Sequence, residues 1–183
     1  MIGYATQVSR VAAFSTLLVF ALCKASHADV LTGRVVAIVD GDTITVLDEA
    51  HMQHKIRLCG IDAPERGQPF GARSKESLSE LAFGKLVGAE CVKRDRYGRQ
   101  VCKVVVEGVD IGLAQVQRGM AWWYEKYHAE QTVQDRRAYA TAQEDARRSA
   151  AGIWSAPSHM PPWEYRKITR KSHFLGPTRR TSD

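Results

Sequence analysis

Two short acidic runs have the composition of a metal-dependent hydrolytic site. The first is Asp40-Gly41-Asp42-Thr43, and the second is Asp62-Ala63-Pro64-Glu65. Carboxylate oxygens are hard ligands of the kind that Ca²⁺ and Mg²⁺ bind. A carboxylate that stays free of metal can take a proton from water. Each run alone also fits an ordinary turn or helix cap, because aspartate favours both.

Two arginines accompany the acids along the chain. Arg57 precedes Asp62 by five residues, and Arg99 closes the polar turn Asp95-Arg96-Tyr97-Gly98-Arg99. Guanidinium is a planar fork that binds phosphate oxygens in pairs and keeps its charge at all relevant pH values. Beside a metal, two such groups could hold a phosphodiester. A salt bridge to a nearby acid is the commoner role of a single arginine.

In order and spacing these residues resemble the staphylococcal nuclease family. The resemblance is carried by both acidic runs, by Arg57 and the residues that lead to Asp62, and by the turn 95–99. The runs Arg118-Gly119-Met120-Ala121 and Gly152-Ile153-Trp154-Ser155 support it. It covers roughly residues 30–165 and implies a calcium-dependent endonuclease that accepts DNA and RNA and leaves 3′-phosphates.

The resemblance also implies a set of metal ligands. The carboxylates of Asp42 and Asp62 and the backbone carbonyl of Ala63 would hold Ca²⁺, with Asp40 and Thr43 in the surrounding shell. The family often has threonine in place of Ala63. Because a carbonyl ligand needs no particular side chain, we expect the alanine to be tolerated.

Other positions match residues that act on the substrate. Glu65 matches the proposed general base, Arg57 and Arg99 match the phosphate-binding arginines, and Tyr97 matches a residue that borders the nucleotide site. The segment that ends at Tyr124 reads Trp-Trp-Tyr and cannot be matched residue by residue. Its aromatic rings could stack on bases or simply cover the barrel.

Alternating apolar residues and turn signals predict the elements that position these groups. Strands are expected over 30–39, 43–47 and 54–61, then a helix over 70–83, and strands over 86–93 and 100–106. Helices from about 110 to 119 and from about 130 to 150 follow. The order favours an α+β, mainly β, fold: a five-stranded Greek-key barrel of the OB type with three helices. An α+β sandwich is the alternative, and the resemblance implies the barrel.

The chain divides into three parts. Residues 1–28 lack acids and contain an apolar run followed by small residues, which is typical of a cleaved signal peptide. An uncleaved anchor or a buried helix is the alternative. Residues 29–165 form the domain, and the basic segment 166–183 is expected to be a disordered tail. Export predicts a secreted or periplasmic protein without stable membrane association after cleavage. We also expect a monomer.

Three cysteines remain in the exported part. Cys91 and Cys102 flank the turn 95–99 at similar distances, so a disulfide between them is plausible on a hairpin in an oxidising compartment. Cys59 would then be a buried free thiol. The alternative is that all three are small core residues.

The function has one serious competitor, a non-catalytic OB module that binds nucleic acid. Loss of the predicted signal peptide lowers the formal net charge from +6 to +4, and a basic surface suits a polyanion under either hypothesis. A binder needs bases and aromatic rings, whereas an acidic cluster in its groove would repel phosphate. The expected cluster of Asp42, Asp62 and Glu65 therefore favours a nuclease over a binding module.

Overall fold

The computed structural model describes residues 30–174. The predicted signal peptide and residues 175–183 of the predicted tail lie outside the described residues. Cleavage and export therefore stay predictions.

A sheet that curves into a closed barrel forms the body of the domain. The described strands are β1 (Val30–Ile38), β2 (Thr43–Leu47), β3 (Gln53–Leu58), β4 (Ile61–Asp62), β5 (Leu86–Arg94), β6 (Gln100–Val106), β7 (Val109–Asp110) and β8 (Trp122–Trp123).

Closure of the barrel rests on one parallel strand pair. Antiparallel pairing gives the order β3-β2-β1-β5-β6, and β3 then also pairs with β6 in parallel. The pairs Ile56 with Gln100 and Leu58 with Cys102 fix the register there. The five long strands thus form a closed ring, which confirms the predicted OB barrel and excludes the open sandwich.

Alternation along the strands supplies the barrel interior. Ile44, Val46, Ile56 and Leu58 are almost completely buried, whereas Lys55, just before Ile56, is exposed. The same period of two sends Arg57 to the outer face, where the acidic runs lie. The apolar pattern therefore sets the direction of a site residue as well as the core.

Helices cover one side of the barrel. They are α1 (Gly71–Ala82), α2 (Ile111–Gln117), α3 (Val133–Arg148) and α4 (Pro162–Phe174). Leu78 and Ala82 of α1, Ile111 and Val116 of α2, and Tyr139 of α3 join the core. Asp110 begins α2, because its carboxylate accepts hydrogen bonds from the backbone N–H groups of Gly112 and Leu113.

The fourth helix corrects the predicted tail. Disorder was expected from residue 166, but α4 runs on to Phe174, so the ordered domain extends past 165. Proline at its first position is suited to starting a helix. Trp163 then stacks on Tyr124, with ring centroids 5.0 Å apart. Long-range packing thus overrides the basic, polar composition.

Two further features concern the length of the helices and the state of the cysteines. No helix among residues 30–174 is long and apolar enough to span a membrane. Cys91 and Cys102 are cross-strand partners on β5 and β6 and form a disulfide, and Cys59 is a buried free thiol. The predicted cysteine pairing is confirmed.

Candidate active site

The first acidic run forms the turn between β1 and β2, and it packs too tightly for any residue but glycine at its centre. A Cβ atom on Gly41 would lie 1.9 Å from Ser74 Oγ and 2.8 Å from the Ala63 side chain. The turn is tied to β3 because the Leu58 N–H donates to the Asp42 carbonyl at 2.8 Å. Asp42 is thereby buried at the barrel rim and is only 7% exposed.

A buried glutamine that sequence reasoning missed anchors this turn. Gln115 of α2 donates through Nε2 to the carbonyls of Gly41 and Ser74, both at 2.9 Å. Its Oε1 accepts from Ser77 Oγ at 2.7 Å. The complete burial of Gln115 is thus compensated by hydrogen bonds, and α1 and α2 are locked to the acidic turn.

The second acidic run begins in β4 and lies directly against the first. Gly60 has a φ of +75°, which lets the chain turn sharply between β3 and β4. Asp62 then pairs with Trp122 of β8. The Ala63 N–H donates to Asp42 Oδ2 at 3.2 Å, so the two runs meet at one end of the barrel as predicted.

Arg57 lies between the two buried aspartates. Its Nη2 atom donates to the Ile61 carbonyl at 2.9 Å and to Asp62 Oδ1 at 3.3 Å. The same atom is 3.8 Å from Asp42 Oδ2. The side chain is only 12% exposed, and its guanidinium carbon lies 6.0 Å from the centre of the Tyr124 ring.

Arg99 reaches the cluster from the β5–β6 hairpin. Its Nε and Nη2 atoms both bind Asp95 Oδ2 at 2.8 Å, and Nη1 donates to Thr43 Oγ1 at 3.1 Å. That hydroxyl in turn donates to Asp42 Oδ1 at 2.8 Å. Tyr97 at the tip of the hairpin is 69% exposed and lies close to the Arg99 guanidinium, 5.6 Å from ring centre to carbon.

Glu65 lies at the outer edge of the cluster, with its side chain 39% exposed. It contacts a residue absent from the sequence prediction, Arg166 of α4. Arg166 Nη1 donates to Glu65 Oε1 at 2.6 Å and to Asp62 Oδ1 at 3.2 Å, and Nη2 donates to Asp62 Oδ2 at 2.7 Å. The Pro161-Pro162 pair followed by Glu164 was the available sign that a helix begins here.

Titration behaviour reflects the crowding of carboxylates. Burial, followed by the charge of Asp42, raises the pKa of Asp40 to about 6. Burial and Asp42 also raise the pKa of Asp62, although hydrogen bonds from Arg166 act in the opposite direction. Burial alone would raise the pKa of Asp42, but Arg57, Thr43 and the Ala63 N–H hold it below its ordinary value. Burial is thus the first cause of the raised pKa values of Asp40 and Asp62, and the charge of Asp42 adds to it.

An aromatic groove adjoins the acids. Tyr124 directly follows β8, contacts Arg57, and stacks on Trp163 with an interplanar angle of 2°. Beyond it lies a cavity of about 620 Å³. Its walls carry aromatic rings and basic side chains, among them Trp122, Trp123, Lys126, Arg147, Trp154 and Lys167. Such a surface suits the unpaired nucleobases and the phosphates of a single strand.

All the site residues predicted from the sequence except Tyr97 and Tyr124 lie at or next to the acid cluster. Asp40 holds the turn by accepting from the Asp42 N–H at 3.0 Å. Tyr97 lies farther out, on the exposed hairpin tip, and Tyr124 lies between Arg57 and the groove. Arg166 and Gln115 are the additions that the sequence did not predict.

Comparison with known proteins gives consistent matches. The family model described as staphylococcal nuclease homologue matches residues 55–156. An uncharacterized endonuclease of Haemophilus influenzae is 37% identical over 153 residues, covering 84% of this chain and 83% of that protein. A micrococcal nuclease of Shigella flexneri is 38% identical over 149 residues, covering 76% and 83%.

A plant relative matches over a shorter stretch. The staphylococcal-like nuclease CAN1 of Arabidopsis thaliana is 33% identical over 117 residues, which cover 63% of this chain and 34% of that protein. The matched family region contains Arg57, Asp62, Glu65 and Arg99, and it ends before α4. With a family model over more than half of the chain and relatives of this similarity, the chain belongs to the family of staphylococcal nuclease homologues.

Proposed function

We propose that this protein is a calcium-dependent endonuclease that hydrolyses phosphodiester bonds in DNA and RNA and leaves 3′-phosphates. The observation that carries the proposal is the grouping of Asp42 and Asp62 around Arg57 at one end of the barrel, with Glu65 joined to Asp62 through Arg166. Membership of a nuclease family supports the reaction class. A module that only binds nucleic acid gains nothing from buried carboxylates beside its phosphate-binding groups.

The donor chemistry of the cluster fits a hard divalent cation. Asp42 and Asp62 are buried carboxylates on either side of Arg57 Nη2. Burial, and after it the charge of Asp42, raises the pKa of the neighbouring Asp40. Within residues 30–174, no three acid, histidine or cysteine side chains are close enough to hold an ion by themselves. Arg57 and Arg166 hold Asp62 in the cation-free protein. Asp42, Asp62 and the Ala63 carbonyl, completed by water, would be the ligands.

When bound, the cation would neutralise charge on a non-bridging phosphate oxygen. The chain's own groups supply the rest. Arg57 and Arg99 bind the equatorial oxygens, where negative charge accumulates in the transition state. Glu65, at the exposed edge, takes the proton of the attacking water. Thr43 and Asp95 orient Arg99, and Asp40 supports the turn that carries Asp42.

The surroundings support a nucleic-acid substrate and an exported protein. Tyr124 and the groove beyond it offer aromatic rings and basic side chains to a nucleic-acid strand that extends from the site. Tyr97 borders the site on the side of the β5–β6 hairpin. These contacts address phosphates and ring faces rather than base edges, so acceptance of both DNA and RNA is reasonable. The Cys91–Cys102 disulfide supports secretion or a periplasmic location, since such bonds persist in oxidising compartments.

A nuclease assay with calcium and with a chelator tests the proposal. Purified protein should degrade single-stranded and duplex DNA when Ca²⁺ is present and stop when a calcium chelator is added. Readdition of Ca²⁺ should restore cleavage, which controls for damage by the chelator. Undiminished cleavage in excess chelator would reject the calcium assignment. Binding without any cleavage in Ca²⁺ would favour the non-catalytic module.

A further inference from the structure

Arg166 makes the most extensive contacts with the acids of the site. Its guanidinium binds both oxygens of Asp62, at 3.2 and 2.7 Å, and one oxygen of Glu65, at 2.6 Å. These two carboxylates are the ones to which the proposed function assigns a metal-binding role and the general-base role. Arg166 belongs to α4, which lies outside the region that matches the family model.

The position of Arg166 is fixed by its neighbours on and before α4. Trp163 stacks on Tyr124, and the Tyr165 hydroxyl donates to the Gly67 carbonyl at 3.0 Å. Just before the helix, the Met160 carbonyl accepts from Gln68 Nε2 at 2.6 Å. The first turns of α4 are therefore docked on the loop that carries Glu65, and Arg166 points at the acids because the helix is held there.

The hydrogen bonds leave little room for a cation at Asp62. Oδ1 already accepts from Arg57 at 3.3 Å and from Arg166 at 3.2 Å, which uses the two lone pairs of that oxygen. Oδ2 accepts from Arg166 at 2.7 Å. A divalent cation that bound Asp62 would also lie beside a positive guanidinium and be repelled by it.

We propose that Arg166 is an internal counter-ion that competes with the divalent cation for Asp62 and thereby sets the cation affinity of the site. The inference rests on the proposed metal-dependent function. Without the cation, Arg166 binds Asp62 and one carboxylate oxygen of Glu65, the proposed general base. Binding of the cation displaces Arg166 from Asp62 and frees Glu65. Arg166 is thus a positioning residue that acts through these two carboxylates.

The competition predicts opposite effects on cation binding and on the stability of the cation-free protein. By linkage, a group that stabilises only the cation-free state must weaken cation binding by the same factor. The Arg166→Gln variant should therefore bind Ca²⁺ more tightly, by about 5- to 150-fold, the usual range of coupling between sites. Its unfolding temperature should fall without Ca²⁺ and fall much less at saturating Ca²⁺.

Lys167 provides a matched control. Lys167→Gln removes the same charge from the neighbouring position of the same helix. Lys167 forms an ion pair with the exposed acid Glu164, at 2.8 Å, and lies on the groove side of the helix, so within residues 30–174 it holds neither Asp62 nor Glu65. The Arg166→Lys variant keeps the charge and loses the planar fork, so its calcium affinity should lie between those of the wild type and Arg166→Gln.

The experiment is a calorimetric Ca²⁺ titration of the metal-stripped wild type and the three variants, together with thermal unfolding with and without Ca²⁺. Tighter binding in Arg166→Gln but not in Lys167→Gln supports the proposal. An Arg166→Gln variant that folds only with Ca²⁺ supports it too. Equal or weaker binding in Arg166→Gln, or equal destabilisation with and without Ca²⁺, overturns it and leaves the nuclease proposal standing. If neither the wild type nor Arg166→Gln binds Ca²⁺, the metal-dependent function fails as well.

Discussion

Replacement of Arg57 by lysine separates the electrostatic role of this residue from its structural one. The substitution keeps one positive charge in a side chain that is 12% exposed, but it removes the planar fork. A lysine ammonium can approach one of the three oxygens that Arg57 Nη2 now lies near, on Ile61, Asp62 and Asp42.

The expected loss of stability is modest and the expected loss of turnover is large, so the two effects can be told apart. Loss of one hydrogen bond that involves a charged group should lower the free energy of unfolding by about 1.5–3 kcal/mol. Loss of one preorganised donor to the transition state costs about 10²–10³-fold in kcat. The wild-type and variant proteins should therefore both be folded at 25 °C, while their turnover differs by orders of magnitude.

The assay is steady-state cleavage of a defined single-stranded oligonucleotide in saturating Ca²⁺, with urea unfolding of the same preparations. Arg118→Lys is the matched control. Arg118 donates to Ser77 Oγ at 3.1 Å and binds Glu80 at 3.0 Å, and within the described part of the chain it forms no ion pair with a site carboxylate. Its kcat should stay close to that of the wild type, and its free energy of unfolding should change by no more than about 0.5 kcal/mol, as is usual at surface positions.

A clear result would refute the reasoning. If folded Arg57→Lys protein retained kcat within about tenfold of wild type, the loss would be below the 10²-fold expected for a transition-state donor. Arg57 would then serve only to hold Asp42 and Asp62 together. A matching fall in Arg118→Lys would point instead to a general effect of removing a guanidinium.

Three further predictions test other parts of the site and domain. Glu65→Gln should lower kcat by roughly 10²-fold or more with little change in oligonucleotide affinity measured by fluorescence anisotropy, and near-normal turnover would remove Glu65 as the base. Replacing both Cys91 and Cys102 by alanine opens a loop with a sequence separation of 11, so the free energy of unfolding measured in urea should fall by about 3 kcal/mol. Adding reductant should lower it no further in this variant. For Asp40, the folded-state pKa of about 6 lies above the ordinary 3.8, so the stability it contributes is present below pH 4 and is lost as pH rises through 6. Asp40→Asn should therefore gain about 2 kcal/mol relative to metal-free wild type between pH 4 and 7, and a pH-independent difference would contradict the shift.

The barrel was predictable because its signals are local. Alternation in β2 and β3 assigns residues such as Ile44 and Ile56 to the core and Arg57 to the opposite face. The turn between β1 and β2 then brings Asp42 to the end of β3, where the next acidic run begins. The β5–β6 hairpin was likewise predictable from its turn, which sets the pairs Arg94 with Gln100 and Lys93 with Val101. A β-bulge between Cys91 and Lys93 then shifts the register and brings Cys91 opposite Cys102.

Features that depend on distant contacts were not predictable in this way. The last predicted helix was expected to run from about 130 to 150, but α3 covers Val133–Arg148 and Ala150 adopts a φ of +51° at an exposed position. Gln115 and Arg166 look like ordinary surface residues in the sequence. Their partners lie 74 and 104 residues away along the chain, at Gly41 and Asp62, and no local period encodes such contacts.

The two arginines that bind Asp62 are held with different rigidity, and this difference bears on how the site can change. Arg57 lies in a strand that pairs on both edges, with Thr43 on one side and Val101 on the other, so moving it would break the barrel. Arg166 lies on a terminal helix whose docking depends on a few side-chain contacts, such as the Trp163 stack. Of the two, Arg166 is the one that can leave Asp62 at a cost small compared with unfolding. Under the proposed competition, Asp62 can therefore exchange Arg166 for the cation while Arg57 continues to hold Asp42 and Asp62 in place.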